Sequence, residues 1–283
     1  MIRMKRLLVA ALMVVGVGAG AGAAELQIAT VDAWQEYLQG AGASMQARLG
    51  GERPFLWLDE TPDRAHRVRR GEVIVAPREE HGTQAVPGGL IHDWIGAIFI
   101  PNATIEGLLM VVRDYDRYKE IYKPVVTDSR SLDSRASDQE FSMVWRRHVL
   151  FVNAAMQGDY RAHVVLVGAH RGYTVVDTTR LQQIDDYGQR GEHLLPPDTG
   201  GGFLWRIHSI SRYEERDGGV YLEVEAIALS CDIPASLRWL VNPVVNRLSV
   251  NALATTLRQT RAAVGTLQVA QRRPMLREHK GLN

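Results

Sequence analysis

Two acidic residues, Glu223 and Glu225, are the residues of this sequence whose type and spacing most clearly suggest chemistry. They stand two positions apart in Val220 to Cys231, a segment with the alternating pattern of a strand, so both carboxylates point to one face. Two carboxylates held close together raise the pKa of one of them, as a general acid–base pair requires. The favoured interpretation is a structural ion pair with arginines of neighbouring strands, for which Arg180 and Arg206 are available.

The preceding strand candidate, Gly202 to Glu214, has one aromatic face and one basic face. Strand alternation places its side chains on these two faces in turn. The aromatic face comprises Phe203, Trp205, Ile207 and Tyr213, and the basic face comprises Arg206, His208 and Arg212. The pattern does not decide which face is concave. Packing in a core explains the aromatic residues at least as well as contact with a ligand does.

Recognisable catalytic motifs are absent. The sequence contains no H-E-x-x-H, no G-x-S-x-G and no P-loop. Its nine histidines lack metal-ligand spacing, and its single cysteine, Cys231, excludes an intramolecular disulfide and a multi-cysteine metal site. We therefore predict no metal and no cofactor, and we favour a binding protein over an enzyme.

Residues 1–24 have the three regions of a secretory signal peptide. Arg3, Lys5 and Arg6 form a positive start, Leu7 to Val17 is apolar, and small residues precede Glu25. The apolar stretch is too short for a good membrane anchor. Removing the leader changes the formal net charge from +1 to −2, because it contains three basic residues and no acidic one. We expect a periplasmic or secreted protein that does not bind nucleic acid.

The elements that must position these side chains follow in three parts. Residues 25–71 form an N-terminal helical extension, with a helix predicted from Thr30, as its cap, to Leu49. Residues 72–270 form the main domain, and residues 271–283 form a C-terminal tail. Within the main domain we predict two short helices. Asn102 or Thr104 caps the first, and the second ends near Pro124. The strand candidates are 72–76, 89–100, 140–152, 155–167, 172–184, 202–214 and 220–231.

Successive strands joined by short turns predict an antiparallel sheet, and therefore an α+β fold. A long helix follows from Ser236 to Val269, with an apolar stripe that includes Leu253 and Leu257. Pro243 lacks a backbone donor, so it either kinks this helix or starts a second one.

Several segments between about Gly89 and Val264 form a recognisable set of motifs. They are Ile100-Pro-Asn-Ala-Thr-Ile-Glu106, Asp114-Tyr-Asp-Arg-Tyr118, Tyr122-Lys-Pro124, Cys231-Asp-Ile-Pro234 and Arg238-Trp-Leu-Val-Asn-Pro243, with Gly89-Leu-Ile-His-Asp-Trp94 and Gly202-Phe-Leu-Trp-Arg206. In these segments the chain resembles the START-like superfamily of lipid-transfer proteins, polyketide cyclases and related binders of hydrophobic ligands, which includes exported bacterial members of unassigned activity. These motifs indicate the fold and carry no catalytic residues, since one fold hosts many functions.

The resemblance implies a helix-grip fold, in which a curved antiparallel sheet wraps around the long C-terminal helix and encloses a cavity. It also implies a hydrophobic small molecule as ligand, such as a lipid or an isoprenoid, and is compatible with transient membrane contact. Two alternatives stay open: a cyclase or hydratase that uses polar groups in that cavity, and an interaction module with a filled core. The oligomeric state is also left open. The candidate ligand-binding residues are Trp145, Tyr173, Arg180, Trp205, Arg206, Tyr213, Glu223, Glu225, Leu253 and Leu257.

The leader gives the first testable prediction. We expect the exported protein to begin at Ala24 or Glu25, because small residues occupy the positions before both. N-terminal sequencing of protein from the periplasmic fraction checks this. Recovery of Met1 from a membrane fraction would contradict it.

Overall fold

The computed structural model describes residues 26–78, 82–134, 137–149, 152–201, 204–232 and 235–278. The predicted leader, Phe203 and Pro234 lie outside these residues. Five α-helices are described: α1 (Ile28–Leu49), α2 (Pro62–Arg69), α3 (Ile105–Val112), α4 (Tyr118–Ile121) and α5 (Ala235–Glu278). Short 3-10 turns at Trp57–Glu60 and Tyr115–Arg117 connect them to their neighbours.

The strands form one antiparallel sheet. They are β1 (Ile74–Pro77), β2 (Thr83–Val86), β3 (Gly89–Pro101), β4 (Val126–Ser134), β5 (Asp138–Val149), β6 (Val152–Leu166), β7 (Arg171–Asp185), β8 (His193–Leu194), β9 (Arg206–Arg216) and β10 (Gly219–Cys231). Their order is β1-β3-β10-β9-β7-β6-β5-β4, with β2 also paired to β3 and β8 to β7. A single ten-stranded antiparallel sheet with a long terminal helix confirms the predicted α+β, helix-grip arrangement.

Local chemistry explains the main elements. Every residue of β3 except Pro101 is buried, in agreement with its nearly continuous apolar run. The β9–β10 hairpin turns at Asp217 and Gly218, both of which have positive φ, as is typical of an aspartate–glycine turn. Of the two predicted caps of α3, Thr104 is the one used, and its hydroxyl accepts a hydrogen bond from the Gly107 amide at 3.1 Å.

The structure also corrects several predicted boundaries. Thr30 does not cap α1; the helix begins after Gln27, and the Thr30 hydroxyl donates to the Pro87 carbonyl at 2.7 Å. The predicted N-terminal extension contains a second helix, α2, and the predicted tail is helical as far as Glu278. The last helix runs through Pro243, and no second helix starts there.

The sequence pattern did not predict three of the strands. They are β2, β4 and β8, with four, nine and two residues. The strand predicted from residue 202 begins at Arg206. The polar sequence of β4, with two aspartates and an arginine, lacks the apolar alternation that identifies a half-buried strand.

The two faces of the sheet are covered by different elements. We call the face beneath α5 the inner face and the face beneath the N-terminal extension the outer face. On the inner face Ile98 and Leu222 pack with Leu257 of α5. On the outer face Phe99 and Tyr221 pack in one cluster with residues of the extension. The extension is thus docked on the sheet rather than separate from it, as the sequence predicted.

Buried His92 on β3 gives a stability prediction. Its Nε2 lies 2.9 Å from the Ser230 hydroxyl, and its Nδ1 has no partner among the described residues. Burial lowers the pKa of the imidazole from 6.5 to about 4. Because the unfolded chain binds this proton more readily, the contribution is fully present above pH 6.5 and is lost as the pH falls toward 4. The loss amounts to about 3 kcal/mol of unfolding free energy.

We expect His92→Gln to remove this part of the pH dependence. Glutamine keeps a hydrogen-bonding partner for Ser230 and does not titrate. Urea unfolding of both proteins at pH 7 and pH 4.5 makes the comparison. Parallel losses of stability in the variant and the wild type would rule out this role for His92.

Candidate functional site

The inner face is filled where α5 crosses β3. Gly96 lies at the crossing, and a Cβ there would come within 2.7 Å of Leu257 and 3.0 Å of Leu253. A side chain at this position would therefore push the helix away from the sheet. Tyr213 of β9 is 1% exposed and belongs to the same cluster. Among the described residues, the inner face around Gly96 is therefore closely packed.

The other half of the inner face contains an aromatic cluster. Phe141 stacks on Tyr115 and on Tyr160, with ring centroids 4.1 and 5.0 Å apart. The Trp145 indole nitrogen donates to the Tyr160 hydroxyl at 3.1 Å, and burial raises the pKa of Tyr160. The Tyr122 hydroxyl lies 3.0 Å from that of Thr260 on α5, which ties this half of the domain to the helix.

A cavity of about 500 Å³ lies between β5, β6 and the first third of α5. Its volume is within the range of small-molecule sites. Apolar residues form most of its wall, and its polar residues are Arg146, Arg147 and Tyr187. The lining residues are Pro124, Val125, Arg146, Arg147, Ala154, Ala155, Tyr187 and Leu248. This cavity is the candidate ligand site.

The two acidic residues emphasised by the sequence lie elsewhere, on the outer face. Glu223 is fully buried and accepts hydrogen bonds from the backbone amides of Trp57 and Leu58, at 3.0 and 3.3 Å. Arg212 donates to both carboxylates, with a distance of 2.9 Å to Glu225. The cluster therefore fixes the N-terminal extension to the sheet.

The charges of this outer-face cluster balance one another. Burial alone would raise the pKa of Glu225, but the positive charges of Arg212 and Arg78 outweigh it and lower that pKa. Burial would likewise lower the pKa of Arg212, and the two carboxylates raise it. Glu225 is thus held as a structural anion, and the oxygens of Glu223 are engaged by Arg212 and two backbone amides. The pair therefore has a structural role rather than the proton-sharing arrangement that acid–base catalysis would need.

The predicted ligand-binding residues divide between the two faces. On the inner face lie Trp145, Tyr213, Leu253 and Leu257, the last three in the filled cluster beneath α5. The other six lie outside the inner face, where Glu223 and Glu225 bind Arg212. Trp205 packs with Trp34 of α1, and Tyr173 packs against the outer-face cluster. Arg180 binds Asp159, and Arg206 binds Asp198. The structure therefore does not bring the ten residues together, and none is among the lining residues of the cavity.

Two of the predicted details need correction. The arginines expected to pair with the carboxylates were Arg180 and Arg206, but Arg212 and Arg78 occupy those positions. The face of β10 that carries Glu223 is the outer face, which the N-terminal extension covers, and it points away from α5. Alternation along a strand defines two faces without stating which one is concave.

Sequence reasoning missed the residues that line the cavity. Arg147 follows Trp145 by two positions, so the two side chains share a face of β5. That spacing was the available signal, since Trp145 was already a candidate. Leu248 lies on the apolar stripe of α5. It lines the cavity instead of joining the close contact at Gly96, and this depends on tertiary packing, which the sequence pattern does not show.

A second depression, of about 580 Å³, lies between α3 and the turn after β6, outside the space between the sheet and α5. Met110 and Leu166 are exposed there. Two of its polar groups are already engaged: Arg113 donates to Gln139 at 3.1 Å, and Glu215 accepts from the Ile105 amide at 2.9 Å. No helix of the described residues is long and apolar enough to cross a membrane.

No protein-family model and no curated protein matches this sequence. Solved structures that match it include a STAR-related lipid transfer protein (fragment 25–204) from Xanthomonas axonopodis, with 18% identity, a TM-score of 0.43, and coverage of 68% of this chain and 98% of the other. Human STARD10 matches with 10% identity, a TM-score of 0.44, and coverage of 71% and 80%. The aromatase/cyclase Zhui from Streptomyces sp. R1128 matches with 13% identity, a TM-score of 0.37, and coverage of 60% and 93%.

These matched structures are START-like proteins, the superfamily that the sequence motifs resemble. At identities of 18% and below they are likenesses of fold. The chemistry of the present chain is argued from its own residues.

Glu223 gives the prediction for the outer-face cluster. Glu223→Gln removes a buried charge that binds Arg212 and two backbone amides. We expect a loss of about 3 kcal/mol in the free energy of unfolding, because Arg212 loses half of its counter-charge in a buried site. Chemical denaturation at neutral pH measures it.

Glu140→Gln is the matched control, since it breaks the exposed pair with Arg161 on the sheet surface. We expect this control to change stability by less than about 0.5 kcal/mol. Equal losses in both variants would show that the outer-face cluster has no special role in stability.

Proposed function

We propose that this protein binds a hydrophobic small molecule, of the lipid or isoprenoid kind, in the cavity between β5, β6 and α5. The supporting observation is the cavity itself, about 500 Å³ with Val125, Ala154 and Leu248 in its wall. An apolar site of this size, with few polar groups, suits a ligand that is held mainly by burial.

The geometry favours binding over catalysis by the predicted carboxylate pair. Glu223 and Glu225 are separated from the cavity by the sheet and are held by Arg212. The Tyr187 hydroxyl donates to Thr127 at 2.9 Å, and no carboxylate or histidine is among the described lining residues. A cyclase or hydratase would need a group that titrates near the operating pH beside the reacting atoms. The cavity also supports this proposal over a module with a filled core.

The place of action is part of the same proposal. We infer that the leader directs the chain to the periplasm or the exterior, where the mature protein carries its ligand. The charged start, apolar stretch and small residues of positions 1–24 support this inference.

Affinity should rise with the length of the ligand's chain. Each buried methylene contributes about 0.8 kcal/mol, or roughly a fourfold change in Kd, before ordering costs. Isothermal titration with an alcohol series from octanol to dodecanol measures this slope. Organic extraction of the purified mature protein and mass spectrometry should recover a stoichiometric hydrophobic molecule. A flat series together with an empty extract would contradict the proposal.

Leu248→Trp tests where the ligand binds. The larger side chain would enter the cavity from α5, so we expect dodecanol to bind at least tenfold more weakly. Val269→Trp on the same helix is the control, because Val269 is 55% exposed and lies outside the cavity. The earlier candidates Leu253 and Leu257 are unsuitable, since both already touch Gly96 and a tryptophan would overpack the core. Equal binding by Leu248→Trp and the wild type would place the ligand elsewhere.

A further inference from the structure

Arg147 projects a positive charge into an otherwise largely apolar cavity. It shares a face of β5 with Trp145, whose indole hydrogen-bonds to Tyr160 of the inner-face aromatic cluster. Across the ladder Arg147 is paired with Ala154 of β6. The alanine methyl is short, so it leaves the space around the guanidinium unfilled, and both residues line the cavity.

This half-buried arginine differs from Arg48 and Arg212, which are buried, and from Arg216, which is half-buried like it. Arg48 binds Glu60 at 2.6 Å, Arg212 binds two carboxylates, and Arg216 binds Asp59 at 2.6 Å. Among the residues that the structure describes, Arg147 has neither an ion pair nor a side-chain hydrogen bond. Burial lowers the pKa of Arg147, yet a guanidinium remains protonated in proteins.

A partly buried charge without a counter-ion is costly, and such charges are normally paired. The guanidinium offers five N–H donors in a planar fork that matches a carboxylate or a phosphate with two parallel hydrogen bonds. Arg146, the next residue along β5, is exposed and also lines the cavity. The lining therefore combines apolar walls with an unpaired site for an anion.

We propose that the ligand is an amphiphile with one oxyanionic head group, a carboxylate or a phosphate ester, and that Arg147 binds this head group. The proposal rests on the hydrophobic-ligand function above and specifies its ligand class. The apolar tail then lies along Val125 and Leu248, and the head group supplies the counter-ion that Arg147 lacks.

Isothermal titration of the mature protein with laurate, dodecyl phosphate and dodecanol tests the proposal, because the three ligands share one tail. We expect Arg147→Gln to weaken laurate and dodecyl phosphate at least tenfold and to change dodecanol by less than twofold. Arg161→Gln is the matched control: it removes the same charge from an exposed side chain that binds Glu140 outside the cavity. This control should leave the binding of all three ligands unchanged.

The outcomes separate the head-group proposal from the binding function. Equal affinity of the wild type for laurate and dodecanol, with no effect of Arg147→Gln, would overturn the head-group proposal and leave the cavity function in place. Failure of all three ligands to bind would overturn both. Inorganic phosphate that bound as tightly as dodecyl phosphate would assign Arg147 to a free anion and overturn the amphiphile.

A folding control keeps the test decisive. Circular dichroism melting of Arg147→Gln shows whether the variant keeps its fold. Where it does not, Arg147→Lys serves instead: it retains the charge but not the planar fork, so we expect an intermediate loss of laurate binding. Laurate binding to Arg147→Lys that matched the wild type would contradict a two-bond contact with the head group.

Discussion

The pairing of β3 with β10 is the constraint on which the rest of the structure depends. Thirteen residue pairs join Gly89–Pro101 to Gly219–Cys231, two segments far apart in the sequence. β3 is buried on both faces as far as Ile100, and β10 is buried or half-buried along its whole length, so the other layers are built on this pair. The inner side carries α5, and the outer side carries the N-terminal extension. Closing a loop of this length costs conformational entropy, which burial on both faces offsets.

This central ladder also divides the inner face into a filled half and an open half. Over β3 the helix approaches so closely that Gly96 has no room for a side chain. The β4–β7 strands curve away from that contact, and their aromatic cluster around Phe141 fills only part of the space. The remaining volume lies where Arg147 and Ala154 face Leu248. The cavity is therefore a consequence of how one helix packs on one end of a wide sheet.

Polar groups were easier to identify from the sequence than to place on a face. The hairpin at Asp217, the cap at Thr104 and the buried run of β3 follow from local rules, and the structure contains all three. The pairing of Glu223 with an arginine also follows from charge and spacing. Its partner Arg212 and the cover supplied by Trp57 depend on how distant segments dock.

The same reasoning explains why the candidate site of the structure contains other residues than those proposed from the sequence. Alternation placed Glu223 and Tyr221 on one face, and the structure keeps them together, on the side away from α5. A residue such as Arg147 is unremarkable in sequence, because one arginine in a polar strand is usually solvated. Only the neighbours reveal that this one is partly buried, unpaired among the described residues and directed at a cavity.

The central claim is that an amphiphile occupies the cavity with its head group on Arg147, and a crystal structure with a brominated fatty acid tests it most directly. The account predicts the carboxylate within hydrogen-bond distance of the Arg147 guanidinium, and bromine anomalous signal from the tail beside Leu248. Bromine signal confined to the depression beside Met110 and Leu166, with an empty cavity at Arg147, would contradict it.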